Sequence, residues 1–256
     1  MTSVQFKIFS DFRSDFYSYC ENLNSSFGKI LAPLQIEARK KDTPAYPLET
    51  SIVYNTALDE ITEQSEIRLI VIGDNPGKDE QRASNRKYLV GQSGKIAAGF
   101  FAKNGEFQTD FRKNVIILNK TPIHTAKTNH LKYLLKNGGD EISKLIFDSQ
   151  KYMAQKTAHL HENLCEAASK TGIAPELWLV GYAELKNKGL FLEYRDELRK
   201  NYENNSSAWE KVFVFQHFSM NRFLIDLKNF RAINKELEIV EAVHILGKLH
   251  KEEIFR

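Results

Sequence analysis

The sequence contains few cysteines, and they lie far apart. Cys20 and Cys165 are the two cysteines among 256 residues, and neither belongs to a Cys-x-x-Cys pair or to a His spacing suited to zinc. Structural disulfides, zinc fingers and four-cysteine iron–sulfur clusters are therefore not expected. No run approaches the roughly 20 apolar residues of a membrane span, and the N-terminal residues lack a secretory-signal pattern. We expect a cytoplasmic protein without metal, cofactor or membrane contact.

An excess of charge of one sign is also absent. The chain has 36 Lys and Arg against 33 Asp and Glu, which permits a nucleic-acid partner without requiring one. The Gly-x-Gly-x-x-Gly dinucleotide fingerprint is missing. Residues 73–79 have one residue too few between their glycines for a phosphate loop, and residues 91–96 lack the Ser or Thr after lysine. Nucleoside-triphosphate hydrolysis is disfavoured.

Four short apolar runs predict the strands of an α/β fold. They are residues 68–72, 115–118, 176–182 and 212–215. Because apolar strands alternate with helical patterns, we expect a single-domain, three-layer α/β/α sandwich with a mainly parallel central sheet of about four strands. The domain is expected to cover residues 1–256, with an N-terminal helical extension over about 1–60 and a motif-bearing core over about 66–230.

Periodic apolar residues and helix-ending residues predict the helices. A stripe from Phe9 to Phe27 predicts an N-terminal helix, and the proline-containing segment 31–50 predicts a connection. Further helices are expected within 53–61, over 95–103, over 140–171 with an end at Gly172, and over 221–250. Four basic side chains between residues 127 and 136 are typical of a solvated helix face.

Polar side chains follow three of the predicted strands at their carboxyl ends, in segments 73–77, 119–125 and 217–222. Ligands of open α/β sheets bind at that edge, so these segments predict a site. Asp74 and Asn75 can orient a water, Asn119 can read an amide-like edge, and His217 can stabilise developing negative charge. Each residue alone is more typical of a turn or a cap, and the set of three favours a site.

Four segments in order resemble the motifs of the uracil-DNA glycosylase superfamily: VIGDNPGKDEQ, YLVGQSG, NVIILNKTPIHT and VFVFQHFSMNR. Asn75 matches the Asn of the mismatch-specific and single-strand-selective branches, and Asp74 falls where the iron–sulfur branch has Glu. Leu89 stands where that branch has a stacking Phe, and Phe218 replaces the proline of a His-Pro-Ser motif. The resemblance implies an enzyme that flips uracil or a related damaged base out of DNA and excises it hydrolytically.

The resemblance also implies roles for the matching residues. The expected catalytic residues are Asp74, Asn75 and His217, with either of the first two placing the attacking water. The expected base-binding residues are Gly73, Pro76, Gly77, Tyr88, Leu89, Asn119 and Ser219. The expected DNA contacts are Lys120, Phe218, Met220 and Arg222, with core packing an equal explanation for Phe218.

The substitutions at Leu89 and Phe218 keep an alternative open, in which a catalytically diverged member binds a nucleobase, a nucleotide or DNA without cleavage. A third interpretation keeps the fold and uses the pocket for another small-molecule hydrolysis. The expected partner is DNA that contains uracil or another damaged base, and the expected state is a monomer. Formation of abasic sites separates the enzyme from the binding protein.

Overall fold

The computed structural model describes residues 1–168, 172–202 and 206–256. At its centre lies a four-stranded sheet in the order β2-β1-β3-β4, in which each neighbouring pair is parallel. The strands are β1 (Leu69–Gly73), β2 (Val115–Asn119), β3 (Glu176–Val180) and β4 (Val212–Phe215). The predicted α/β/α sandwich with a parallel sheet of four strands is confirmed.

Eight α-helices form in the described residues. They are α1 (Ser3–Arg39), α2 (Gln92–Lys103), α3 (Leu131–Asn137), α4 (Gly139–Ala167), α5 (Leu192–Asn201), α6 (Ser206–Trp209), α7 (Arg222–Ile233) and α8 (Ile239–Ile254). Short 3₁₀ turns, among them Thr56–Glu60 and Ser219–Asn221, lie between them. The predicted helices within 53–61 and over 95–103 are present. The last residues predicted for the long helix, 169–171, lie outside the described residues.

Helix α1 is longer than the sequence predicts. It continues past Pro33 to Arg39, although proline lacks the backbone N–H that a helix interior uses. Gln35 is buried, and its Nε2 donates to the carbonyl oxygens of Ser51 at 2.9 Å and His124 at 2.8 Å. Because these tertiary contacts hold the last turns of the helix, the prediction of a connection from residue 31 is wrong for residues 31–39.

The predicted closing helix is two helices, α7 and α8. Asn234 ends α7 in a non-helical conformation, and both its backbone N–H and its side-chain Nδ2 donate to the carbonyl oxygen of Phe230. Asparagine side chains compete with the helix for such backbone acceptors, which favours termination there.

Helices cover both faces of the sheet, which explains why its strands are apolar apart from Asn119 and Glu176 at strand ends. On one face the buried ring of Trp178 contacts Phe101 of α2, Phe215 of β4 and Phe223 of α7, with ring centroids 5.3, 4.6 and 6.1 Å apart. The register pairs Gly73 with Asn119 and Val180 with Phe215. The carboxyl ends of all four strands therefore meet at one edge.

Candidate active site

A cavity of about 440 Å³ lies at the carboxyl ends of the strands. The residues predicted from the sequence that line it are Asp74, Asn75, Gly77, Leu89, Asn119, His217, Ser219, Met220 and Arg222. Residues that the sequence analysis did not single out also line it, among them Glu80, Ser93, Thr128, Glu184 and Gln216. The three polar strand ends therefore form one cavity, and the loop after β3 contributes a fourth wall.

Asn119, the last residue of β2, has a buried side-chain amide with an unused hydrogen-bond donor. The residue is 2% exposed, and its Nδ2 has no hydrogen-bond partner among the described residues. A buried donor without a partner costs roughly 1–3 kcal/mol. Gly73 lies against its Oδ1, so that a Cβ at position 73 would collide with this oxygen. The strand ends thus hold an unpaired amide donor at the cavity wall, which indicates a ligand acceptor.

His217 follows β4, and its tautomer is set by the backbone. The N–H of Ser219 donates to Nδ1 of His217 at 3.0 Å, and the Ser219 hydroxyl lies 2.8 Å from the same nitrogen. Since Nδ1 accepts a hydrogen bond, the proton of the neutral ring is on Nε2. Burial lowers the pKa of His217, and the cations Lys120 and Arg222 lower it further against the opposing effect of Asp74. The ring is therefore a neutral donor through Nε2.

Asp74 and Lys120 form an ion pair behind the cavity. Nζ of Lys120 lies 2.6 Å from Oδ1 of Asp74, and the lysine side chain is 0% exposed. The second carboxylate oxygen, Oδ2, is 3.4 Å from the hydroxyl of Thr128, which also lines the cavity. Asp74 thus presents a carboxylate to the cavity, with Oδ1 held by the lysine and Oδ2 held by a longer hydrogen bond from Thr128.

The side chain of Asn75 joins two loops through hydrogen bonds. Its Nδ2 donates to Oγ1 of Thr125 at 2.8 Å and to the carbonyl oxygen of Ile123 at 3.3 Å. The side chain is half-buried and lines the cavity. Of the two residues predicted to place a water, Asp74 has a carboxylate oxygen toward the cavity, and Asn75 has its amide nitrogen in the loop–loop contact.

Glu80 is a cavity residue that the sequence analysis missed. Its Oε2 accepts a hydrogen bond from the N–H of Gly77 at 3.0 Å, and burial raises its pKa to about 7 against hydrogen bonds from Gly77 and Leu89. The glutamate of a capping box likewise accepts from the backbone N–H three residues before it. The spacing Gly77-x-x-Glu80 was the signal available in the sequence.

Leu89 lines the cavity in a left-handed backbone conformation, with φ of 52°. Arg112 fixes this turn by donating to the carbonyl oxygens of Tyr88 and Leu89. The ring of Tyr88 lies in the core instead, since its hydroxyl donates to the carbonyl oxygen of Val53 at 2.5 Å. The expectation that Tyr88 packs on a bound base is therefore wrong, and Leu89 supplies that wall.

Pro76 acts through its carbonyl oxygen, which accepts from Nδ1 of His124 at 2.9 Å and from the N–H of Thr125 at 3.2 Å. Its side chain is buried and does not line the cavity, nor does Gly73, which instead makes room for Asn119. The predicted contacts of Pro76 and Gly73 with a base are therefore replaced by contacts that shape the loops.

Two of the four predicted DNA contacts are buried. Lys120 is enclosed by its acceptors and cannot reach a phosphate. Phe218 is fully buried, with ring centroids 5.1 Å from Phe223 and 6.3 Å from Phe111, so it is a core residue. Met220 and Arg222 remain exposed at the cavity, and Met220 is 67% exposed.

The predicted solvated face over residues 127–136 is also partly wrong. His130 is buried, and its Nε2 lies 2.7 Å from Oδ1 of Asp42. Exposed Lys127 pairs with the same aspartate at 3.0 Å. These two partners lower the pKa of Asp42 to about 2. The segment after β2 is thereby joined to the turn that follows α1.

No family model matches the chain, and no curated protein or solved structure matches it either. Within residues 1–168, 172–202 and 206–256, no group of three or more His, Cys, Asp or Glu side chains is arranged to hold a metal ion. Over the same residues no helix has both the length and the apolar character needed to cross a membrane. The geometry of the cavity therefore carries the functional argument.

Proposed function

We propose that the protein is a DNA glycosylase that takes uracil or a related damaged base out of the DNA stack and hydrolyses its glycosidic bond. The observation that carries this proposal is the buried, unpaired amide of Asn119 in a cavity that also holds His217 as a neutral donor. A uracil-type edge offers a carbonyl acceptor for Nδ2 and an N–H donor for Oδ1, and a buried amide of this kind reads such an edge.

In this proposal the charge that develops on the departing base is held by His217. When the bond between C1′ and N1 breaks, its electron pair goes to the base and spreads onto O2. A donated hydrogen bond from Nε2 in a partly buried site stabilises that charge most in the transition state. The ring needs no proton of its own for this role, which agrees with its lowered pKa.

Asp74 is the residue proposed to orient the attacking water. Its carboxylate lines the cavity, whereas the amide nitrogen of Asn75 is engaged by Thr125. A carboxylate accepts a hydrogen bond from water and favours positive charge that develops on the sugar. Asn75 keeps a positioning role through the loop that carries Asp74.

DNA is proposed to approach at the mouth of the cavity near Met220 and Arg222. Met220 is an exposed apolar side chain in a left-handed turn, with φ of 53°, and apolar side chains of this kind act as wedges between base steps. Arg222 is placed to contact a phosphate. The proposal takes the protein as a monomer that acts in the cytoplasm.

A second candidate is binding of a nucleobase, a nucleotide or DNA without cleavage. Leu89 favours it, because an aliphatic wall stacks on a base less well than an aromatic ring does. Both candidates use Asn119 for recognition, and they differ in whether an abasic site forms.

The test is incubation with single- and double-stranded oligonucleotides that hold one uracil, followed by alkali to break abasic sites. We expect strand cleavage by the wild-type protein and a loss of about 100-fold or more in Asn119→Ala and His217→Ala, as for removal of one oxyanion donor. Exposed Asn137 and His159 provide matched controls, and Asn137→Ala and His159→Ala should cleave normally. A folded wild-type protein that cleaves neither strand form would contradict the proposed activity.

A further inference from the structure

Lys120 makes an unusual set of contacts for a lysine. Its Nζ donates to Oδ1 of Asp74 at 2.6 Å, to the carbonyl oxygen of Val180 at 2.5 Å and to the carbonyl oxygen of Gly73 at 3.3 Å. Three acceptors require three N–H donors, and only the protonated ammonium supplies them. Burial lowers the pKa of Lys120, and Asp74 opposes that effect as the nearest countercharge.

The contacts of Lys120 connect three parallel strands. The residue directly follows β2, whereas Gly73 and Val180 are the last residues of β1 and β3. Its backbone N–H also lies within hydrogen-bond distance of the carbonyl oxygens of Gly73 at 3.0 Å and Asp74 at 3.1 Å. Main chain and side chain therefore hold the same turn, which carries the Asp74 carboxylate.

Gly181 makes room for this arrangement. It follows β3 with φ of +98°, and a Cβ there would collide with Oδ1 of Asp74 and lie 3.2 Å from Nζ of Lys120. The pair therefore depends on a residue without a side chain at position 181. Both the acceptors and the space around the ammonium are built into the strand ends.

We propose that Lys120 is a positioning residue of the excision reaction, which holds Asp74 as a carboxylate with Oδ1 engaged and Oδ2 directed to the attacking water. This inference rests on the proposed glycosylase function. Two further titratable groups interact with the pair: Glu184 after β3 acts on Lys120, and the neutral ring of His217 after β4 is affected by both Asp74 and Lys120. Arg222 at the start of α7 acts on His217. Among the charged side chains of the described residues, Lys120 is the one that pairs with the carboxylate.

Removal of the Lys120 ammonium should change how excision depends on pH. Without the ammonium, a buried carboxylate has lost its countercharge and takes up a proton more readily, and a protonated Asp74 cannot accept from water in the same way. Removal of Lys120 should therefore reduce excision most at acidic pH. A phosphate contact would behave differently, because its loss weakens DNA binding and lowers the salt dependence of binding at every pH.

The experiment measures kcat/KM on single-stranded uracil DNA across pH 5 to 9 for the wild type, Lys120→Met and Lys120→Gln. Lys120→Gln keeps donor groups without the charge and serves if the methionine variant does not fold. We expect the acidic limb of the profile to move to higher pH by about one unit or more, equivalent to about tenfold lower activity on that limb. Lys151→Met removes an exposed lysine that pairs with Glu193 and should leave the profile unchanged.

Two results would overturn the inference. One is an equal loss of activity at all pH values in both variants, which is the result expected of a merely structural lysine. The other is a reduced salt slope of DNA binding, which would make Lys120 a phosphate contact.

A measurement without DNA separates this inference from the proposed function. The ¹³C carboxyl signal of Asp74, assigned by its absence in Asp74→Asn, is followed against pH in the wild type and in Lys120→Gln. We expect its titration midpoint to rise in the variant. An unchanged midpoint refutes the positioning role even if the wild type excises uracil, and a raised midpoint supports the pair even if it excises nothing.

Discussion

Glu80 illustrates how burial changes a single residue. The residue is 8% exposed, and burial raises the pKa of its carboxyl to about 7. The folded protein therefore binds a proton at this carboxyl more tightly than the unfolded chain does. The resulting contribution to stability is fully present below the pKa that Glu80 has in the unfolded chain. It is lost as the pH rises through about 7, the pKa of Glu80 in the folded protein. Above that pH the folded protein holds an ionised carboxyl at a cost.

We predict that Glu80→Gln stabilises the protein in alkaline solution. The amide cannot ionise, and its oxygen can still accept from the N–H of Gly77. The free energy of unfolding at pH 8.5 should rise by up to about 3 kcal/mol, which corresponds to the difference between a pKa of about 7 in the folded protein and the ordinary value of 4.5, and should change little at pH 4. Urea unfolding at the two pH values measures this. The exposed Glu106→Gln provides the control, and an equal gain in that variant would argue against the burial explanation.

The sequence predicts Asp74, Asn119 and His217 as cavity residues because each follows an apolar strand, and the structure brings them together. It does not predict the position of Lys120. A lysine after a strand usually extends to solvent, whereas this one turns inward to distant acceptors such as the carbonyl oxygen of Val180, which is 60 residues away in the chain. The sequence is equally compatible with Phe218 as a wedge in DNA and as a core residue. The contacts of its ring with Phe111 and Phe223 show that it is a core residue.

At the scale of elements, the N-terminal extension supports the cavity loops from behind. The hydroxyl of Tyr46 lies 2.8 Å from Nε2 of His124, whose Nδ1 lies 2.9 Å from the carbonyl oxygen of Pro76. Because that carbonyl only accepts, Nδ1 carries the proton and Nε2 accepts from Tyr46. Local sequence signals ended α1 near Pro33, and contacts with distant loops extend it. Patterns within one segment therefore could not predict this support.

Two glycines, one inside a helix and one after a strand, differ in their tolerance of a methyl group. Gly99 lies within α2, where an added Cβ meets no atom within 4 Å, whereas a Cβ at Gly181 would collide with Asp74. We predict that Gly99→Ala stabilises the protein by about 0.5–1 kcal/mol, because alanine favours helix. Gly181→Ala should destabilise it by more than 1 kcal/mol, because of strain at positive φ and the collision.

Thermal unfolding of the two glycine variants with one wild-type reference measures the difference. Wild-type stability in Gly181→Ala would mean that the loop after β3 can shift without cost to the Asp74–Lys120 pair. A loss in Gly99→Ala would mean that α2 has less free space than its surroundings indicate.

For the whole molecule, two buried histidines link folding to pH. His124 and His161 are fully buried, and burial lowers the pKa of each to about 4. Above pH 6.5 both states of the protein hold these rings neutral. As the pH falls from 6.5 toward 4, the unfolded chain takes up protons that the folded protein does not, so the free energy of unfolding decreases.

We predict that stability falls steadily between pH 6.5 and 4, by up to about 3 kcal/mol for each buried histidine, with Glu80 opposing part of the fall. His161→Gln should flatten the curve, since it removes one of the histidines whose pKa is lowered by burial. His159→Gln changes an exposed residue of the same helix and should leave the slope unaltered. Urea unfolding at half-unit pH intervals provides the data, and equal slopes in all three proteins would refute the assignment.

The alternation of apolar runs with helices allowed the fold class to be predicted from the sequence, whereas the strand order could not be. The order β2-β1-β3-β4 places the two central strands, β1 and β3, over 100 residues apart in the chain. No local pattern specifies which strands become neighbours, because pairing depends on how helices such as α2 and α4 cross over the sheet.

The parallel sheet also determines how late in folding the cavity forms. The cavity combines side chains from Asp74 to Arg222, and its last wall follows β4, the last of the four strands in chain order. Parallel pairings of distant segments form slowly, since the loops between them must close first. All residues up to Arg222 must therefore be available before the cavity exists, and recovery of ligand binding during refolding should be among the last signals to appear.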